Sequence, residues 1–247
     1  MGTVSPGVLY YDILLILSLL LTGIYLFIWQ KHHDVHVSLV FVLMPLVCLG
    51  YVLLAHARNL TEALAANKVI YLGGCFLQLI ILLVVCTLCG IRLGRVGRIL
   101  KTLGFAVGAT IYIFVLNPMR SGDFYRHTEL LRDGGLPYLQ KEYGWMHSVF
   151  QGVVLFYYFL SLTVIVYCFI RKNQISRKIL VLLLLPETLA IAAFFIGQKA
   201  LGHVEFLLAV YVMAQVVYLI IVSRISLYDI SDTAIDSMMK KGDTGFL

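Results

Sequence analysis

The chain has 247 residues, of which 61% are hydrophobic and 13% charged, and its formal net charge is +6. Soluble domains average about 45–50% apolar and about 25% charged residues. The composition therefore excludes a soluble globular enzyme, a disordered chain and a nucleic-acid-binding module. Because one spanning helix takes about 20 apolar residues, the length allows about seven spans and no further domain of ordinary size.

Seven apolar stretches follow one another along the chain, so the sequence predicts an all-α membrane protein, a seven-transmembrane helix bundle. Lys101 lies inside the fourth stretch and Pro118 ends it, which leaves six spans as the alternative. The predicted spans are 7–30, 35–57, 63–91, 99–119, 145–170, 179–197 and 204–223.

Basic residues predict the orientation, because cytoplasmic loops of membrane proteins carry an excess of lysine and arginine. Two clusters without acidic residues, Arg92–Lys101 and Arg171–Lys178, fall on the same side of the membrane. The connections on the other side balance their cations with aspartate and glutamate. We therefore expect the N-terminus outside and the C-terminus in the cytoplasm.

The long connection between the fourth and fifth spans, Asn117–Gly144, falls on the outside in this topology. Asp123 is a candidate N-cap before Phe124–Arg132, and Gly134 with Gly135 would end the segment. The pattern predicts a short amphipathic surface helix. It is either a solvated connector or a lid over an outward-facing pocket.

The C-terminal segment continues beyond Arg224 without glycine or proline as far as Gly242, which predicts a helix that enters the cytoplasm. Ile225, Tyr228, Ile235 and Met239 follow heptad spacing, although Asp232 interrupts one a position. Under two and a half heptads are too few to predict a coiled coil from the pattern alone. The residues after Gly242 read as a turn and the start of a strand. We therefore expect two parts, a membrane domain (1–224) and a signalling helix with the start of an output domain (225–247); a frayed natural terminus is the alternative.

Three segments resemble the N-terminal seven-transmembrane sensor region of bacterial histidine kinases and diguanylate cyclases. They are Glu62–Gly74, Lys141–His147 and Arg224–Ile230; the family usually has proline where Trp145 stands. The resemblance implies a sensory region of the bacterial inner (plasma) membrane that precedes cytoplasmic PAS, kinase or GGDEF domains. It names a role and no ligand.

Three polar residues inside the predicted spans, Gln78, Glu187 and Gln215, belong to roughly one depth layer. Polar groups within a membrane are costly and need partners or water. They are either hydrogen-bonding contacts between helices or a polar pocket and switch. A glutamate among apolar groups would favour its neutral form.

A second polar layer lies nearer the predicted outer surface, where side chains from several spans could line a vestibule. Ordinary interfacial solvation is the alternative. We select His147, Gln151 and Glu205 as the leading ligand-binding candidates from this layer, with Tyr71, Asn117 and Gln198 beside them. The whole layer consists of His56, Arg58, Tyr71, Asn117, His147, Gln151, Gln198, His203 and Glu205.

Signals for metal, retinal or catalysis are weak. The pair Cys86-x-x-Cys89 with the histidines near the first inner loop could hold a metal, but buried cysteines usually serve packing. No lysine in the seventh span is available for a retinal Schiff base. No catalytic motif is present in the sequence, so we expect no metal, no cofactor and no enzymatic activity in this chain.

These observations favour a sensory input domain that binds a small-molecule or lipid ligand among the membrane helices. Arg224, Tyr228 and Ile235 on the last helix would transmit the signal to a cytoplasmic histidine kinase or diguanylate cyclase, in a homodimer formed through that helix. We expect membrane lipids and no nucleic acid among its partners. The alternatives are a small-molecule transporter with Glu187 as coupling carboxylate and, as a third class, an intramembrane enzyme.

Overall fold

Seven long helices make up most of the chain that the structure describes. The computed structural model describes residues 5–28, 34–91, 94–117, 122–171, 177–200 and 204–242, and for 196–200 and 225–242 the backbone only. The helices are α1 (Pro6–Ile28), α2 (Val35–Ala55), α3 (Leu60–Leu88), α4 (Arg95–Leu116), α5 (Trp145–Ile170), α6 (Arg177–Ala200) and α7 (Leu207–Gly242).

The predicted all-α bundle of seven membrane-spanning helices is confirmed. Each of the seven helices contains a stretch that is long and apolar enough to cross a membrane. The six-span alternative is wrong, because α4 is a full helix despite Lys101. The Lys101 ammonium lies in the second turn of α4, 2.7 Å from Nε2 of His36, which begins α2.

Helix α3 is the centre of the bundle. Its residues from Leu77 to Cys86 are buried on every side, and it packs against α2, α4 and α5. The contact with α2 is close because Gly50 has no side chain: a Cβ there would lie 2.8 Å from the backbone nitrogen of Ile70. Small residues of this kind allow spanning helices to approach each other.

The remaining helices surround α3. Helix α7 closes the bundle by packing against α1, α2 and α6, and α5 joins α6 to α3. The outward faces carry large exposed apolar side chains, among them Leu20 on α1, Ile113 on α4 and Phe156 on α5. Such continuous apolar exposure is typical of a surface that contacts lipid.

The connection between α4 and α5 is a β-hairpin, so the predicted surface helix over Phe124–Arg132 is wrong. Strand β1 (Tyr125–Asp133) pairs antiparallel with β2 (Leu136–Tyr143). Gly134 and Gly135 form the two-residue turn, with φ of +53° and +84°. Two consecutive positive φ angles suit the twist of a tight hairpin, and they favour glycine, asparagine or aspartate at the first position and glycine at the second. The two glycines therefore turn the chain back instead of ending a helix.

The hairpin is docked on one end of the bundle, which we call the hairpin end. Leu136 packs with Val8 and Tyr11 of α1, and Leu139 packs with residues at the α2–α3 junction. At the base of the hairpin, the Gly144 amide donates to the carbonyl of Phe124 at 2.9 Å. These contacts hold the inner face of β2 against the helix ends.

Candidate functional site

A cavity of about 160 Å³ lies between the hairpin and the helix ends, and we call it the hairpin cavity. Residues from α2, α3, β2, α5, α6 and the start of α7 line it, so its shape depends on how these elements pack. The lining consists of Val47, Tyr51, Ile70, Tyr71, Gly74, Lys141, Tyr143, His147, Phe150, Gln151, Phe194, Glu205, Leu207, Leu208 and Tyr211.

Lys141 is the cation of the hairpin cavity. It lies on strand β2, and its ammonium donates to Oδ1 of the buried Asn67 at 2.7 Å. Asn67 in turn donates to the hydroxyl of Tyr125 at 2.9 Å. The ammonium also lies 5.7 and 5.6 Å from the ring centroids of Tyr71 and Tyr125, in cation–π range. Burial lowers the pKa of Lys141 to about 8, although the charge of Glu205 opposes that shift.

Glu205 supplies the opposite charge. Its backbone is fixed at both ends, because its amide donates to the Tyr11 hydroxyl at 2.9 Å and its carbonyl accepts from Tyr10 at 3.2 Å. Burial raises the pKa of its carboxyl, while Lys141 and the Leu207 amide at the start of α7 lower it. The carboxylate thus sits where the positive end of the α7 dipole favours a negative charge.

Aromatic rings form much of the remaining wall. The His147 ring stacks on Tyr143 with centroids 3.7 Å apart and an interplanar angle of 12°. The Tyr71 hydroxyl lies 3.4 Å from Nδ1 of His147, and its ring meets Phe150 at 5.1 Å. The site therefore presents two opposite charges among flat apolar surfaces, a composition common in pockets that bind small molecules.

Four of the nine predicted ligand-binding residues come together in the hairpin cavity: Tyr71, His147, Gln151 and Glu205. Asn117 is exposed at the C-terminal end of α4 and is not part of the lining. The side chain of Gln198 lies outside the described residues. Their roles in binding stay predictions.

Gln78 and Glu187 meet in a separate small cavity of about 10 Å³, which we call the Glu187 pocket. Gln78 Nε2 donates to Glu187 Oε2 at 3.3 Å, so the pair links α3 to α6. Gln215 does not join them: it accepts from Ser18 of α1 at 2.6 Å. The three residues therefore make two separate interhelical contacts, one between α3 and α6 and one between α1 and α7.

The three residues predicted to transmit a signal all lie on α7, which continues from the last span to Gly242. Arg224 is exposed at the end of the apolar part of the helix. The backbone of Tyr228 and Ile235 is helical, and their side chains lie outside the described residues.

Sequence reasoning missed Lys141, Asn67 and Tyr143 as site residues. Lys141 and Tyr143 belong to the segment Lys141–His147 on which the family resemblance rests, but the helix predicted before them gives no reason to place their side chains in a cavity. A strand interpretation would have found the signal, because Leu139, Lys141 and Tyr143 alternate at the spacing of one strand face. Asn67 is a buried polar residue of α3 that had no predicted partner.

Cysteines and histidines form no group of three or more potential metal ligands, as far as the described part of the chain extends. Cys86, Cys89 and Cys168 are buried cysteines in the opposite half of the bundle from the hairpin. Cys168 lies with its sulfur 3.9 Å from the Cys89 carbonyl, a packing contact between α5 and the end of α3.

Comparison with known proteins identifies the family. A family model described as the N-terminal 7TM region of histidine kinase matches residues 7–231. A search of curated proteins found no match to the chain. The matched residues include all seven spans and the first turns of α7 beyond the membrane segment. The chain thus belongs to the N-terminal seven-transmembrane region family of histidine kinases, a sensory input region of a multi-pass membrane protein.

Proposed function

We propose that this chain receives a ligand in the hairpin cavity and passes the signal through α7 to a cytoplasmic histidine kinase. The single observation that carries the proposal is the position of α7. Leu207, Leu208 and Tyr211 of this helix line the cavity, and the same helix continues to Gly242. A ligand that prefers one arrangement of the cavity wall therefore biases the position of α7 directly.

The length of α7 supports transmission across the membrane. The helix has 36 residues, and its apolar segment ends at Arg224. At 1.5 Å per residue such a helix is about 54 Å long, against a hydrocarbon core of about 30 Å. A rigid helix of that length carries a rotation or a shift from one membrane surface to the other.

The proposed topology places the hairpin cavity outside the cell and the end of α7 in the cytoplasm of a bacterium. The basic clusters 92–101 and 171–178 support this orientation in the inner membrane. We also propose a homodimer through the cytoplasmic part of α7, whose heptad spacing supports helix pairing. A histidine kinase is preferred to a diguanylate cyclase as the output because the matching family is a region of histidine kinases.

A receptor is preferred to a transporter because of what surrounds Glu187. Its carboxylate accepts from Gln78 in a pocket of about 10 Å³, which is far smaller than the hairpin cavity. A coupling carboxylate would be expected beside the substrate, near paired broken helices. The geometry instead favours a contact that joins α3 to α6.

The test is a register experiment on α7. The chain is fused in frame to the cytoplasmic core of a histidine kinase, and one to seven residues are inserted after Arg224. Each residue adds about 100° of rotation, so kinase activity should vary with the inserted length and return near seven residues. Autophosphorylation in membrane vesicles measures it. Equal insertions between the kinase subdomains serve as the control. Kinase activity that does not vary with the number of residues inserted after Arg224 contradicts the proposal.

A further inference from the structure

We propose that the hairpin cavity recognises a zwitterionic compound of the free amino acid class. Its carboxylate would pair with Lys141, its ammonium with Glu205, and its apolar side chain would lie among the aromatic rings. This inference rests on the proposed function, because it names the ligand class of that same cavity.

The first argument is that two opposite charges line one cavity without pairing with each other. The Lys141 ammonium and the Glu205 carboxylate are not within 4.0 Å, the limit for an ion pair, although each influences the other electrostatically. Lys141 has three donors and, among the described residues, one hydrogen bond, to Asn67. A carboxylate has about four acceptor positions, and the Leu207 amide at the start of α7 favours its charged form. Both groups therefore keep capacity for a ligand.

The second argument concerns the net charge of the ligand. An anion without a positive group is attracted by Lys141 and repelled by Glu205. A cation without a negative group is attracted by Glu205 and repelled by Lys141. A molecule that carries both charges satisfies both groups at once. Electrostatic complementarity of this kind contributes to specificity more than to raw affinity.

The third argument is size and surface. The cavity of about 160 Å³ is similar to an engineered apolar cavity of about 150 Å³ that accommodates benzene. Phe150, Phe194 and Tyr211 offer apolar walls, and the tyrosine face also suits an ammonium group. A side chain of one ring or a branched aliphatic group fits this space beside the two charges.

The experiment starts with the chain reconstituted in lipid nanodiscs and the twenty proteinogenic L-amino acids, tested by thermal shift and calorimetry. The tightest binder is then compared with its deaminated and decarboxylated analogues. For leucine these are 4-methylpentanoate and 3-methylbutylamine, which share its isobutyl group. We expect each singly charged analogue to bind at least about tenfold more weakly than the amino acid.

Two variants assign the charges. In Glu205→Gln, the carboxylate analogue should bind as tightly as the amino acid, because the repulsion is gone. In Lys141→Met, the amine should bind as tightly as the amino acid. Arg126→Gln and Glu142→Gln remove matched charges from exposed positions of the hairpin and should keep the wild-type preference. Because the two cavity variants change preference in opposite directions, a general loss of folding cannot produce both results.

The proposal is overturned if no amino acid binds more tightly than about 1 mM, or if wild type binds a singly charged analogue as tightly as the amino acid. Either result leaves the role of α7 untouched, since the register experiment needs no ligand. Failure of that experiment with intact amino acid binding would instead reject signalling and keep the site.

Discussion

The hairpin cavity and the Glu187 pocket both contain polar residues, but they differ in volume. The hairpin cavity has about 160 Å³, and its two charged groups face open volume. The Glu187 pocket has about 10 Å³, and its carboxylate accepts from Gln78. A space of about 10–15 Å³ holds roughly one water. Volume, more than polarity, thus separates a place where a ligand fits from a contact between two helices.

Tyr211 of α7 lines both cavities and connects them. A ligand in the hairpin cavity therefore touches a residue that also borders Glu187. Within the described residues, Gln78 Oε1 in the Glu187 pocket has no hydrogen-bond partner. The two cavities differ in volume, and residues of α7 line both of them.

The largest effect is expected from filling the hairpin cavity. A Cβ at Gly74 would find only the Phe150 ring tip, at 3.9 Å, and Gly74 lines the hairpin cavity, so Gly74→Leu adds atoms to that cavity. We expect ligand affinity to fall by about 100-fold or more, which corresponds to about 2.7 kcal/mol. Calorimetry in nanodiscs measures it. Gly152→Leu is the control, since its Cβ has no neighbour within 4 Å; unchanged binding in Gly74→Leu would place the ligand elsewhere.

The second effect concerns the stability of the Glu187 pocket. Glu187→Leu leaves both polar atoms of Gln78 without a partner and should cost about 1–3 kcal/mol of unfolding free energy. The double variant Gln78→Leu/Glu187→Leu should recover most of that loss, because the orphaned amide is gone. Denaturation in detergent micelles measures both. Gln215→Leu combined with Glu187→Leu should be additive, since Gln215 bonds to Ser18 instead; a double variant as unstable as the sum of its singles contradicts the pairing.

The third effect is a pH dependence of binding in the hairpin cavity. The pKa of Lys141 is about 8, so its ammonium becomes neutral as the pH rises through that value. Affinity for a carboxylate-bearing ligand should therefore be constant from neutral pH to about 8 and fall by up to about tenfold per unit above it. Toward acid pH, the raised pKa of Glu205 weakens the attraction for an ammonium.

Other polar groups face Lys141 and are tested with it. They are Asn67 and Tyr71 of α3, Tyr125 of β1, Tyr143 of β2, His147 of α5 and Glu205. Burial raises the pKa of Tyr125 and Tyr143, so both stay neutral through this range. In Lys141→Arg the guanidinium keeps its charge, and the fall above pH 8 should disappear. A fall that persists in this variant assigns the titration to another group.

How far the sequence predicts the molecule differs between its helices and its hairpin. Spanning helices are recognised from continuous apolar length, which needs no knowledge of partners, and Trp145–Ile170 was placed at the bounds that the structure has. The start of α3 at Leu60 was readable too, because Asn59 and Glu62 form a capping pair. The predicted start at residue 63 overlooked it.

The sequence predicts site residues only where the depth of a residue in the membrane is sufficient to place it near the site. The sequence predicts His147 and Glu205 because their positions place them at one end of the bundle. It does not predict their neighbour Lys141, because the place of Lys141 depends on the pairing of two strands, and the Gly134–Gly135 turn that pairs them resembles a helix end in the sequence. Similarly, Gln215 was grouped with Glu187 by depth, since sequence does not give the rotation of a helix about its axis.

The smallest effect is expected from a change in the turn between β1 and β2. At Gly134 the φ angle is +53°, a left-handed conformation that a β-branched residue adopts at a cost. Gly134→Val should destabilise the hairpin by about 1–2 kcal/mol, whereas Gly134→Asn should be nearly neutral because asparagine tolerates this region. Hydrogen exchange of the β1 and β2 amides measures the change, and the amides of α3 provide the internal reference.

The hairpin carries Lys141, so Gly134→Val should also weaken binding in the hairpin cavity, though less than Gly74→Leu. If Val and Asn variants exchange alike, the chain does not need the left-handed turn, and the docking of Leu136 and Leu139 on the bundle is sufficient to position β2.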